Sequence, residues 1–303
     1  MRDFMADSGV FPCAHSNKTV QADIGKTRHA DSPAQTADSE RAPGKARGIL
    51  RHAPGPGVFH HARIAPALPL AGVVQHFWIV RWDLEASPPQ VRETLPHPNV
   101  HWVFEPGLTR IQGVHTGRFT RELKGRGGVF GVKFRPGGFR AYLGKPLSAL
   151  RDASLDGAAV FGDEAAVLEA ELFAARNDAE QVAVAERFFL ARLPLSDADA
   201  LRAGEIVDAI AADLSIGRVE QVSERWRIGA RSLQRLFNEY VGVGPKWVIN
   251  RYRLHEALER LAQGGEVDWA QLALDLGYFD QAHFIGDFKA LVGRPPADYA
   301  RRG

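Results

Sequence analysis

The chain has 303 residues, 45% hydrophobic and 24% charged, which is room for two domains with cores of their own. Its net charge of +2 gives no global polycation argument for nucleic acid, and its single cysteine, Cys13, excludes an internal disulfide and a cysteine-rich zinc site and suits a reducing cytosol. No apolar run approaches the roughly 18 residues of a membrane span, and the N-terminus lacks a basic stretch followed by an apolar one, so no secretory signal and no membrane partner is expected.

Residues 1 to 47 scatter Ser, Thr, Ala, Asp and Lys without period. They read as a disordered tail, or as the product of an upstream start codon. From there to 196 the text is first β-rich. "VVQHFWIVRWDL" alternates, with Phe77 and Ile79 opposite Trp78, Val80 and Trp82, a strand pattern. "NVHWVFEPG", "LTRIQGVHTGRF" and "GGVFGVKFRPGGF" follow, short and punctuated by Gly and Pro. Such a series predicts a small antiparallel barrel or sandwich. Trailing helices come next, in "DEAAVLEAELFAA" and "AEQVAVAERFFLARL". "PLSDADA" then reads as a hinge, because Pro194 and Asp197 interrupt helical text.

Residues 201–303 are helical throughout, with helices expected near 202–213, 219–226, 230–241, 245–262, 269–276, 281–291 and 296–301. Pro245 suits a first helical position, Gly264-Gly265 a helix end, and Asp268 with Gln271 a capping box. The fold class is α+β: a barrel-like antiparallel half with trailing helices (48–196), then an all-α domain (201–303).

That all-α domain repeats itself. Leu233, Phe237, Val241, Gly242 and Pro245 match Phe284, Phe288, Val292, Gly293 and Pro296 at an offset of 51. Before the turn the offset is 50, with Val222 matching Leu272 and Ile228 matching Tyr278, so the second turn is one residue longer. Each copy is a short helix, a tight turn and a longer helix, a helix-turn-helix twice over. Two copies held about one DNA turn apart suit successive major grooves. Lys/Arg and Asp/Glu balance over 201–303, 14 against 14. Between Arg225 and Arg253, however, seven basic residues stand against Glu239 alone, a local patch of the kind that neutralises phosphates.

"SLQRLFNEYVGVGPKWVINRYRLHEALERL" and "LALDLGYFDQAHFIGDFKALVGRPPADY" resemble the AraC/XylS family of bacterial transcription regulators over about a hundred residues. "GVFGVKFRPGGFRAYLG" resembles the end of the cupin-like sensor half of many members. The resemblance implies two helix-turn-helix units joined by a linker helix, double-stranded DNA as partner, and an upstream half that senses a small molecule or dimerises. It also implies a cytoplasmic regulator. RNA polymerase as a partner and a homodimer as the assembly stay open, and no cofactor or metal is expected.

The resemblance places Arg231, Gln234 and Arg235 in the major groove, where Arg pairs with guanine and Gln with adenine. Arg227, Asn238, Lys246 and Arg251 are assigned to phosphates. Counterparts of the three readers in the second copy are Ala282, Ile285 and Gly286, which leaves Gln281 and His283 to read, with Asp280 as N-cap. Trp78, Trp82, Trp102, Phe130 and Phe134 line an effector pocket on one reading and form plain core on the other. His97, His101 and Glu105 are four apart, a metal-ligand set if one strand ran through them, although Pro98 and Pro106 argue against that strand. The alternative function is therefore a metal- or cofactor-dependent β-barrel enzyme fused to a DNA-targeting domain. A constitutive regulator whose β-rich half only dimerises is a third reading. An alkyl-accepting repair protein is set aside, since Cys13 lies in the tail.

Overall fold

A computed structural model describes residues 48–50 and 57–301. The expectations for residues 1–47, Cys13 included, lie outside the described residues.

The β-rich half is antiparallel, as expected. Among the described residues eight strands run in chain order: β1 Val58–Ile64, β2 Val74–Leu84, β3 Gln90–Thr94, β4 His101–Phe104, β5 Arg110–Gln112, β6 Phe119–Leu123, β7 Gly125–Phe134 and β8 Ser154–Leu155. Six form one sheet in the order β1-β2-β7-β4-β5-β8, and β3 pairs with β6 in a separate ribbon. The expected alternation of β2 sorts its side chains between two faces. Phe77 and Ile79 enter one core with Trp102, Phe104, Phe130 and Phe134. Trp78, Val80, Trp82 and Leu84 enter another, against Leu123 of the ribbon. Two glycines of β7 make room there. A Cβ at Gly131 would meet the Trp78 ring at 2.0 Å and one at Gly127 the Trp82 ring at 2.3 Å.

The first face is covered by trailing helices: α1 Arg140–Leu143, α2 Ala158–Phe161, α3 Glu164–Ala174 and α4 Asp178–Leu190. Leu168 and Leu172 of α3 and Phe188 and Phe189 of α4 bury their apolar edges against it. Trp102 stacks flat on Phe161, centroids 4.8 Å apart, and is fully buried. Its truncation to alanine should cost about 3–5 kcal/mol, read as a lower melting temperature.

Seven helices follow, all at expected places: α5 Ala198–Ala212, α6 Val219–Arg225, α7 Ala230–Tyr240, α8 Pro245–Ala262, α9 Trp269–Asp275, α10 Gln281–Val292 and α11 Pro296–Arg301. α5 starts four residues earlier than expected, because Asp197 caps it by accepting from the amides of Asp199 and Ala200. Asp268 caps α9 through Ala270 and Gln271. The expected capping box is incomplete, since the Gln271 side chain reaches forward to Asp275 at 2.7 Å.

The two halves touch at several points. Arg140 holds Glu239 of α7 at 2.5 Å, and Arg135 pairs with Asp208 of α5. Arg118 donates to the Val292 carbonyl at 2.6 Å, and His255 to the Leu95 carbonyl at 2.9 Å.

Candidate nucleic-acid interface

The first helix-turn-helix is α6, the turn 226–229 and α7. Leu233, Leu236 and Phe237 turn inward into a core completed by Val248, Ile249 and Val114. The period that buries them leaves Arg231, Gln234 and Arg235 exposed together on the opposite face of α7. Gln234 is not idle: its amide donates to the Asn238 side chain one turn on, at 3.0 Å, so reading an adenine requires exchanging that bond. The turn contains a left-handed residue, Arg227, with φ of +47°. In the second unit the same place is Gly277, φ +73°.

Charge on this face is less than the sequence count implied. Arg227, Arg231, Arg235 and Lys246 are exposed and have no acidic partner among the described residues. Arg225 is tied to Asp213 at 3.0 Å. Glu239, the one acid of the stretch, is neutralised by Arg140.

Arg251 requires a correction. It was assigned to a phosphate, but it is 1% exposed, lies over the Trp247 ring and donates to the Thr116 carbonyl at 2.5 Å. Its guanidinium joins α8 to the β-rich half and offers no surface to DNA. Arg253 is buried as well, and its role was not legible as a charge. Its guanidinium donates to the Gly217 carbonyl at 2.8 Å and lies over the Tyr278 ring. A Cβ at Gly217 would meet it at 2.3 Å and one at Gly277 at 2.6 Å. One side chain on the linker helix is thus wedged between the entry to the first unit and the turn of the second. The glycine at 277, where the first unit carries arginine, is the sequence signal for it.

The second unit is α9, the turn 276–280 and α10, with Phe284, Phe288 and Val292 inward. Asp280 caps α10 by accepting from the His283 amide at 2.8 Å. Gln281 and His283 are exposed beside Ala282 and Gly286. The His283 ring stands edge-on to Tyr278 at 5.3 Å, with Nε2 3.7 Å from the Asp287 carboxylate. Burial and Asp287 drive the Tyr278 phenol well above its ordinary range.

The five aromatics proposed for one effector pocket do not share one. Trp102 and Phe134 are packed solid on the first face, while Trp78 and Trp82 lie on the second. Of the five, only Phe130 borders an open cleft of about 880 Å³ among the described residues, lined also by His60, Arg81, Phe104, Phe173 and Asp178. The His97, His101 and Glu105 set is likewise separated. His97 stands edge-on to His255 at 4.3 Å, His101 accepts from Trp78, and Glu105 pairs with Arg121.

Residues 222–302 match a family described as a helix-turn-helix domain, and residues 62–156 match a domain of unknown function. No curated protein matches. Among solved structures, the C-terminal domain of AraT, a response regulator from Geobacillus stearothermophilus, is 23% identical over 36% of this chain and 88% of that one, with a TM-score of 0.31. ToxT from Vibrio cholerae is 13% identical over 81% of this chain and 98% of its own, TM-score 0.37. The xylose-binding transcription activator xylR is 21% identical over 49% of this chain and 40% of its own, TM-score 0.28. None of these superpositions is close.

Proposed function

With residues 222–302 an AraC-type helix-turn-helix domain, we propose that the chain is a cytoplasmic, sequence-specific transcription regulator modulated by a small molecule through its β-rich half. The observation that carries this is the exposed side of α7, where Arg231, Gln234 and Arg235 stand together beside unpartnered Arg227 and Lys246. Arginine forks match guanine O6/N7 and a freed glutamine amide matches adenine N6/N7, while the flanking cations suit phosphates. The second unit offers Gln281 and His283, exposed on a helix start with no basic side chain beside them. It anchors more than it reads. The enzyme alternative depends on His97, His101 and Glu105, whose side chains go to three different neighbours.

The test is selection of bound fragments from genomic DNA by the full chain, followed by titration of the recovered site. Arg227 and Lys246, the two unpartnered cations assigned to phosphates, give a slope of log K against log salt of about −1.8, at ~0.9 per phosphate neutralised. A flat salt dependence, or no recovered site, contradicts the proposal.

A further inference from the structure

A row of basic side chains crosses the second face of the six-stranded sheet. Lys133 of β7 lies opposite His76 of β2 and His101 of β4, and Arg63 of β1 pairs with Trp78, two residues on from His76. Strand alternation puts all four on the side of Trp78, Val80 and Val103, which pack into the aromatic cluster with Trp82. His76 is 4% exposed and Lys133 6%.

The hydrogen bonds fix what this row can offer. Arg63 Nε donates to His76 Nε2 at 3.3 Å, and Trp78 Nε1 donates to His101 Nδ1 at 3.3 Å. An accepting ring nitrogen is unprotonated, so His101 carries its proton on Nε2 and both imidazoles are neutral. Burial, then neighbouring cations, agrees: it holds His101 near 3 and His76 near 2, and it pulls the Lys133 ammonium down to about 7. Lys133 has no hydrogen-bond or ion-pair partner among the described residues. The carboxylate that acts on it, Asp208, is already paired with Arg135. What the row offers is therefore donors: the Lys133 ammonium and the His101 Nε2–H, with the Arg63 guanidinium beside them holding His76. An ammonium held at low exposure without a protein acceptor is unfavourable, and an anion supplies that acceptor.

We propose that this row is the chain's effector site and binds the carboxylate of a small organic acid whose apolar body lies along Trp78 and Val103. A monoanion fits better than a phosphate dianion, because a single unpaired cation faces the site and its flanks are apolar. The site also adjoins the DNA-binding half. His101 pairs in register with Gln112, whose side chain meets His115 at 3.3 Å. Over the next few residues Val114 enters the core of the first unit, Thr116 receives Arg251, and Arg118 reaches Val292 of the second.

This deepens the regulatory reading and rests on it, and the two fail separately. Benzoate, octanoate and inorganic phosphate are titrated one at a time into the full chain and into Lys133→Met. Melting temperature and tryptophan emission are followed, and DNA binding without additive is measured alongside. The expected result is a saturable rise in melting temperature with at least one carboxylate, tenfold weaker with phosphate. Lys133→Met should fold with equal or higher melting temperature and lose the response at least tenfold. Should that variant fail to fold, Arg63→Gln takes its place and should weaken the response at least threefold. No response to either carboxylate, a stronger response to phosphate, or a response unchanged in the variant overturns the proposal. Intact DNA binding with no carboxylate response sinks the site alone; a carboxylate response without DNA binding sinks the regulatory reading alone.

Discussion

The two helix-turn-helix units share a skeleton and differ in what they show. Leu233, Phe237 and Val241 in the first, and Phe284, Phe288 and Val292 in the second, are all buried at matching places. Packing constrains those positions, because each must fill a close-packed core around α8. Outward positions carry no such constraint, and there the copies part: Arg231, Gln234 and Arg235 against Ala282, Ile285 and Gly286. The turns differ for a packing reason too. A side chain at Gly277 would collide with the Arg253 guanidinium, whereas the corresponding Arg227 is exposed and holds its left-handed backbone without obstruction. The lesson is that a duplicated fold keeps its interior and lets its surface diverge.

Four substitutions sharpen or break that contrast. Arg235→Ala should have the largest effect, about 1–3 kcal/mol of affinity at the cognate site with relaxed preference at one base position, since the proposed bidentate guanine contact is lost. Equilibrium titration on cognate and scrambled DNA reads both. Gly286→Arg should tighten binding partly without regard to sequence. A Cβ there meets nothing within 4 Å, and replacing a mid-helix glycine also stabilises α10 by up to about 1 kcal/mol, so melting temperature should rise with affinity. Arg227→Gly should separate charge from backbone strain. Stability should rise by about 1 kcal/mol as the left-handed penalty is relieved, while the salt slope shrinks by ~0.9 if this side chain contacts a phosphate. His283→Ala should be the mildest, within a few tenths of a kcal/mol, as for an ordinary surface change. If it proves the most damaging in the same titration, the roles of the two units are inverted.

Sequence periodicity made the helical half legible to within a few residues, because its amphipathic stripes and caps are local signals. Asp280 and Pro245 sit where their capping chemistry placed them. What could not be read was anything set by register or by burial from several sides. The aromatic set was divided because β7 pairs with β2 so that Phe130 falls opposite Ile79 and Gly131 opposite Trp78. That choice is made between strands some fifty residues apart, and a one-residue shift would exchange the faces. Arg251 and Arg253 looked like solvated charge because a helix usually has a wet side. α8 has little: it is wrapped by both units and by the β-rich half, and eleven of its eighteen residues are buried. The basic row at His76, Lys133 and His101 was invisible for the same reason as the aromatic set, since its members meet only through strand pairing.

The most direct test of the unequal division between the two units is in vitro selection of random DNA by the full chain, with base preference resolved position by position. The account predicts strong preference concentrated in one major-groove segment, guanines and an adenine among its bases, with a nearly unconstrained segment about one helical turn (~10 bp) away. Loss of that preference in Arg235→Ala, but not in His283→Ala, would tie it to α7. Equal preference in the two segments, or preference confined to the one that depends on His283, would contradict it.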